Sequence, residues 1–358
     1  MSAQTLIPAL ATAFIVTVSV MLAMHPFAIK IGLVDHLGGR KRHDGAVPVI
    51  GGLAMFAGIA VGLFLIGPLT VGFLSALIAG GLLIIIGAID DNMGLPPATR
   101  VITQIAVVLV MVYGANLQLV DIGDPFGTGV ISMGRFGVIF TLVVSLTLIN
   151  AYNLVDGIDG LAGTLATIAL LAVVIVAGPG NVFGAAALIA VATVLGFLMF
   201  NFPIAKNRSM RSFMGDAGST LLGFTIVWVT LGIAQGAEQI ISPVHCLWFA
   251  AVPIFDCLTC FVRRSLKGKS PFTPGRDHFH HMLRRGGFGV PEILAILASI
   301  QFTYATIGLA GFFIGVPDYV MFAAWSAVGL TQIRVIRRIA KSHRLYSWSR
   351  IRSRDLTN

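Results

Sequence analysis

Charge is what this sequence has least of. Only 11% of its 358 residues are Asp, Glu, Lys or Arg, against about a quarter in an ordinary soluble domain, while 56% are hydrophobic and the mean hydropathy is +0.91. A soluble fold cannot cover its surface with so few charges, and a disordered chain is poor in Ile, Leu, Val and Phe. Cysteine is scarce too. Cys246, Cys257 and Cys260 are too few for a disulfide framework, and the CxxC of the last two lies inside an apolar run, where it is read as packing rather than redox or metal chemistry. The N-terminus has no basic stretch ahead of its first apolar run, so residues 1–25 read as a retained signal anchor followed by Lys and Arg. The composition leaves an all-α, polytopic integral membrane protein. At about 20 apolar residues per span, the length has room for roughly ten to twelve helices.

Uncharged apolar runs lie at about 5–25, 49–66, 72–89, 101–118, 136–152, 161–178, 183–201, 219–235, 244–262, 293–315 and 317–333, which predicts about eleven spans. With the N-terminus outside, the inner segments are 26–48, 90–100, 153–160, 202–218, 263–292 and 334–358. These hold 23 of the 24 Lys and Arg; only Arg135 falls outside. One span more or fewer would scramble that asymmetry, so the positive-inside rule predicts an N-terminus on the outer (periplasmic) side and a C-terminus on the inner (cytoplasmic) side. The net charge of +9 is thus a topology signal and not a nucleic-acid patch. Residues 1–333 read as one transmembrane catalytic domain, and 334–358 as a basic cytoplasmic tail against anionic headgroups.

Ionised side chains near lipid cost about 2.5–3.5 kcal/mol even on lenient scales, so each needs a reason. Here the reasons look shared. Asp90 and Asp91 end the third run; Asn150, Asn153, Asp156 and Asp159 follow the fifth in INAYNLVDGIDGLAG; Asp216 precedes the eighth in FMGDAGST. The loop Arg276-Asp277-His278-Phe279-His280-His281 follows the ninth. All four groups fall on the inner face. Five carboxylates there predict a divalent cation, basic ligand-binding neighbours, or both. Carboxylate and carboxamide oxygens suit Mg²⁺, and an absence of thiolates from this face argues against zinc. The histidines, beside Arg284 and Arg285, suit phosphate binding or proton transfer. Structural readings exist for single residues. Asp156 or Asp159 could cap the sixth helix, and Asp216 the eighth. His25 and His245 read as packing residues, Asp35 and Asp44 with Lys41 and Arg42 as a solvated face, and Asp256 has no assigned role beyond bonding freed backbone or a neighbouring helix.

The stretches GLVDHLGGRKRHDGAVPVIGG, GAIDD, NAYNLVDGIDGLAG, FMGDAGSTLLGFTIVW and SPFTPGRDHFHHML occur in one order over about 250 residues. In that combination the chain resembles the polyprenyl-phosphate N-acetylhexosamine-1-phosphate transferases, and among them the bacterial enzymes that use UDP-N-acetylglucosamine and undecaprenyl phosphate. The resemblance implies attack by the lipid phosphate on the β-phosphorus of the UDP-sugar, with release of UMP, as the first membrane step of O-antigen or related surface glycan synthesis. It also implies Mg²⁺, with Mn²⁺ as its substitute, and a homodimer.

By the same resemblance Asp216 is the metal aspartate and Asn153 a second metal ligand that also meets substrate. Asp90 and Asp91 match the acidic pair that orients or deprotonates the lipid phosphate. Asp159 matches a uridine-binding position, supported by Asp156, and Phe213 the aromatic that stacks on uracil. Arg276, His278, His280 and His281 match the loop that holds diphosphate and sugar, and Arg100 a cationic residue near the lipid phosphate; Asp90, Asp91, Asp156, Asp159 and His278 are counted as the catalytic residues. A phosphate of pKa about 6 is already largely ionised at neutral pH, so Asp90 is expected to orient more than abstract. The chain departs from many relatives at Asn92 and Gly94, where a basic residue and an acid are common. HFHH sets it apart from the muramyl-pentapeptide enzymes; other UDP-N-acetylhexosamine donors stay open. A secondary transporter is the reading from a different class, but its acids would sit at the bilayer midplane in repeated halves, and here they sit at one face without repeats.

Overall fold

The computed structural model describes residues 3–35, 47–67, 70–203, 210–237, 239–266, 268 and 278–355, with side chains through 342 apart from 340. Arg276, Lys41, Arg42 and Asp44 lie outside the described residues. The helices are α1 (Ala3–Ile31), α2 (Gly51–Ile66), α3 (Val71–Met93), α4 (Pro97–Ala115), α5 (Gly137–Val155), α6 (Leu161–Ala177) and α7 (Val182–Asn201), followed by α8 (Gly215–Gln235), α9 (Pro243–Cys246), α10 (Ala251–Ser265), α11 (Phe279–Arg285), α12 (Val290–Phe313) and α13 (Asp318–Asp355). Every apolar run of the sequence carries helix, the ninth in two pieces. Among the described residues, eight helices are long and apolar enough to cross a membrane, as in a multi-pass membrane protein.

Three runs are shorter than expected. At 16 and 17 residues, α2 and α6 extend only about 24–26 Å, less than a hydrocarbon core of about 30 Å. The ninth run is broken: α9 is a single turn, and α10 restarts at Ala251 after a turn at residues 247–250. The carbonyls freed there are taken up by Gln301 of α12, whose Nε2 donates to Phe249 O at 2.7 Å while its Oε1 accepts from Val252 N at 2.9 Å. The last difference is at the C-terminus, where α13 runs unbroken through the boundary expected at 333.

Helix α8 is apolar on every side and correspondingly occupies the middle, packed against α2, α3, α5, α6 and α7. Small residues let its neighbours close in. A Cβ on Gly87 of α3 would stand 2.3 Å from the Cα of Ala217, so only glycine fits where α3 crosses the start of α8. The chain ahead of α8 is pinned by the short antiparallel pair Val34–Asp35 and Val47–Pro48. Phe213 N donates to Pro48 O at 2.8 Å, and Gly51 N to Phe213 O at 3.0 Å. At the other end of α8, Gln235 Oε1 accepts from Val120 N at 2.7 Å in the loop between α4 and α5. The bundle therefore has one end defined by the start of α8 and the other by that loop.

Candidate active site

The C-terminal end of α3, the N-terminal end of α4, the C-terminal end of α5 and the N-terminal end of α8 meet at the first of these ends. Asp90, buried in the last turns of α3, accepts from Leu95 N at 2.6 Å through Oδ1. Its Oδ2 pairs with Arg100 Nε at 2.7 Å. The turn that makes this possible is closed by Gly94, with φ 69°, in the left-handed region that favours glycine. Arg100, at the start of α4, also reaches Asp216 Oδ2 through Nη1 at 3.2 Å. Asn153 donates to Asp216 Oδ1 at 2.8 Å and to Ser219 Oγ at 3.0 Å. Asp216, Asn153, Asp90 and Arg100 thus form one cluster.

Asp216 does not cap α8. It sits in the first turn with its side chain on Asn153 and Arg100, and the capping is done from another helix. Asp91 Oδ1 accepts from Asp216 N at 2.8 Å, and Oδ2 lies 3.3 Å from Ala217 N. A carboxylate placed on the first free N–H groups of a helix satisfies two orphan donors and meets the positive end of the dipole. Asp91 is thus committed to main chain, while Asp216, about one-third exposed, faces the open cleft.

That cleft is lined by Leu83, Ile86, Gly87 and Asp90 along one face of α3, and by Arg100, Asn153 and Asp216 from α4, α5 and α8. Thr103, Gln104, Asn150 and Thr220 complete it. Asn150, half-buried, donates to the buried Gln104 at its Oε1 at 2.7 Å, beside the acids. Gln104 was not singled out by the sequence, although an uncharged polar residue inside an apolar run is the signal that could have found it.

A second group surrounds the turn after α5. Neither Asp156 nor Asp159 caps α6; its N-cap is Gly160, whose N–H donates to Asn201 Oδ1 at 2.7 Å. Asn201 Nδ2 in turn donates to Ser212 O at 2.9 Å, joining this turn to the segment that carries Phe213. Asp159 forms an ion pair with Arg211 at 2.5 Å, and the Arg211 guanidinium lies 4.9 Å from the centre of the Phe213 ring. Arg211 was also not singled out. Asp156 forms the C-cap of α5.

The histidines pack onto the same turn. His280 is buried against Gly157, where a Cβ would come within 2.3 Å of its Nε2. Neither ring nitrogen of His280 has a hydrogen-bond partner among the described residues. His278 stacks on it with ring centres 5.8 Å apart, and His281 lies 4.2 Å from it. Burial, and then the neighbouring His281, His278 and Arg284, hold the His280 imidazole well below its ordinary pKa. It is therefore neutral at pH 7. Behind this cluster stand Asp256, 2.9 Å from His278 Nδ1, and Cys260, 3.4 Å from the same atom. The expectation that no thiol approaches this face is thus corrected, because the break before α10 lets its later turns reach the histidine loop. His245 is a buried packing residue, as expected, but also lies 3.3 Å from Asp318 at the far end of the bundle.

Carboxylate and carboxamide oxygens converging beside an arginine suit a hard divalent cation bound together with phosphate oxygens. The comparisons with known proteins point the same way. Residues 73–234, which contain both acidic groups and most of the cleft, match the model of glycosyl transferase family 4. The chain is 38% identical over 325 residues to the undecaprenyl-phosphate alpha-N-acetylglucosaminyl 1-phosphate transferase of Salmonella typhi, covering 90% of this chain and 88% of that protein. The proteins of the same name from Yersinia pestis and Escherichia coli K12 are 34% and 37% identical, over 87% and 86% of this chain and 86% and 84% of theirs. Matched in sequence over nearly its whole length, and with the acids of that match gathered at one end of the bundle, the chain belongs to glycosyl transferase family 4, the polyprenyl-phosphate N-acetylhexosamine-1-phosphate transferases.

Proposed function

We propose that the protein transfers N-acetylglucosamine-1-phosphate from UDP-N-acetylglucosamine to undecaprenyl phosphate and releases UMP, at the cytoplasmic face of the bacterial inner membrane. A phosphate oxygen of the lipid forms a bond to the β-phosphorus of the UDP-sugar, and the bond from that phosphorus to the bridging oxygen breaks, leaving UMP. One diphosphate replaces another, so the protein's work is to position two anions and offset their charge. The observation that carries this reading is the bridge of Arg100 between Asp90 and Asp216 in a cleft where Asp90 continues the apolar α3 face of Leu83, Ile86 and Gly87. Such a cleft sets apolar surface for a lipid beside fixed charge for its phosphate.

Asp216 and Asn153 would hold Mg²⁺, or Mn²⁺ in its place. When bound, the cation supplies Lewis-acid neutralisation of the diphosphate. Arg100 orients the acceptor phosphate. Both oxygens of Asp90 are engaged, one by Leu95 N and one by Arg100, which supports an orienting role over proton abstraction. Asp159 and Phe213, held by Arg211, receive the uridine, with Asp156 supporting the turn. His278, His280, His281 and Arg276 hold diphosphate and sugar. The charge distribution of the loops supports a periplasmic N-terminus and cytoplasmic C-terminus. The product enters O-antigen or a related surface glycan, and the protein works as a homodimer.

The test is transfer of label from UDP-N-acetylglucosamine into organic-extractable lipid by purified protein with undecaprenyl phosphate and Mg²⁺. We expect labelled lipid and stoichiometric UMP, abolished by EDTA and by Asp216→Asn. Silence with this donor and with other UDP-N-acetylhexosamines would overturn the reading.

A further inference from the structure

Asp256 is an acid with no place in the reaction described above. It lies in the interior of α10, one turn after Pro253, and only 1% of it is exposed. Burying a carboxylate is costly unless its oxygens are hydrogen-bonded. Here both are. Oδ1 accepts from Phe279 N at 2.8 Å, and Oδ2 lies 2.9 Å from His278 Nδ1. A carboxylate in this place only accepts, so Nδ1 of His278 carries the hydrogen, and Nε2 is the nitrogen left for another partner.

Asp256, Cys260 and His278 are also the only trio of metal-type ligands that converges among the described residues. The Asp256–His278 hydrogen bond and the Phe279 N–H already occupy the atoms a cation would need, so the trio is read as a hydrogen-bonded relay. The two bonds of Asp256 do different things. The bond from Phe279 N satisfies a free donor at the start of α11, which is a structural service. The bond to His278 sets which ring nitrogen is protonated and how the ring is turned. That ring stacks on His280, which in turn rests on Gly157 beside Asp156.

We propose that Asp256 is a positioning residue for the transfer: it holds His278 in the Nδ1–H form, so that Nε2 faces the phosphate and sugar oxygens of the donor. The donor's identity rests on the function proposed above; the tautomer does not. A carboxylate that fixes an imidazole from behind is a general device for a histidine that must meet charge on its other side.

Asp256→Asn separates the two services. The amide oxygen still accepts from Phe279 N, but the amide nitrogen now faces Nδ1 and favours the opposite tautomer. The experiment is nitrogen-15 NMR of the histidine side chains in the full chain in detergent micelles, with the His278 signal assigned by its loss in His278→Gln. We expect a protonated Nδ1 in the wild type, and an unprotonated Nδ1 with protonated Nε2 in Asp256→Asn. In the transfer assay, Asp256→Asn lowers kcat at least about tenfold with little change in the unfolding temperature, and Asp256→Glu restores part of the rate. The double variant Asp256→Asn/His278→Gln is no slower than His278→Gln alone. An unprotonated Nδ1 in the wild type, an unchanged tautomer in Asp256→Asn, or additive losses in the double variant would overturn the proposal. If the wild type transfers nothing, the proposed reaction fails, and the NMR result still decides the role of Asp256.

Discussion

Arg100 joins two carboxylates that come from helices 126 positions apart: its Nε stands 2.7 Å from Asp90 Oδ2, and its Nη1 stands 3.2 Å from Asp216 Oδ2. A planar guanidinium can serve both acids at once, whereas an ammonium is a point charge. Arg100→Lys is therefore expected to slow transfer at least about tenfold, chiefly through a raised KM for undecaprenyl phosphate. The side chain is 42% exposed, so the unfolding temperature should barely move. Rates measured against acceptor concentration check this; an unchanged KM would remove Arg100 from the acceptor site.

Asp90→Asn distinguishes orientation from base catalysis. The carboxamide oxygen can still accept from Leu95 N, but its nitrogen opposes Arg100. If the lipid phosphate arrives ionised, kcat stays within about threefold of wild type while KM for the lipid rises. A collapse of kcat at saturating lipid would instead make Asp90 the base.

Asp91 acts through α8. Asp91→Ala strands two main-chain donors, Asp216 N and Ala217 N, and should cost about 1–2 kcal/mol of stability. Asp91→Asn keeps one acceptor and should lose less. Thermal unfolding in detergent ranks the three proteins; equal stability would mean that another group takes over the cap.

Two glycine substitutions should part company. Gly87→Ala forces a Cβ into the backbone of Ala217, and costs about 1–3 kcal/mol with little room to relax. Gly157→Ala meets the His280 ring instead, a side chain that can turn away, so the loss should fall on donor KM and less on stability. Unfolding temperature and KM for the UDP-sugar, measured together, decide it.

The neutral, buried His280 predicts a pH dependence of stability. Its folded pKa lies below the unfolded value of about 6.5, so the unfolded chain binds the extra proton first. Stability present above pH 6.5 is lost as pH falls below it, by up to about 1.4 kcal/mol per pH unit from this group. His280→Phe should flatten the unfolding temperature between pH 7 and 5. A variant with the wild-type slope would place the titration elsewhere.

The sequence alone determined the helical membrane class, because continuous apolar runs of about 17–23 residues satisfy their backbone in lipid only as helices, whereas barrel strands alternate. It also determined that the acids gather at one end, since alternating apolar runs return the chain to the same end every second loop, and Asp90, Asn153 and Asp216 all meet there. Only tertiary structure decided the pairings. Asp91 and Asp216 look equivalent in sequence, yet one caps a helix 125 positions away and the other faces the cleft. Asp256 had no legible role because its partner, His278, lies 22 residues on and reaches it only where the ninth run breaks and α10 restarts. Arg211 was one of several loop cations until Asp159 and Phe213 came within its reach. Periodicity reports which residues avoid lipid; it carries no information on which polar group will meet which. That is decided by helix packing, through close approaches such as Gly87 on Ala217 that set the depth and rotation of each neighbour.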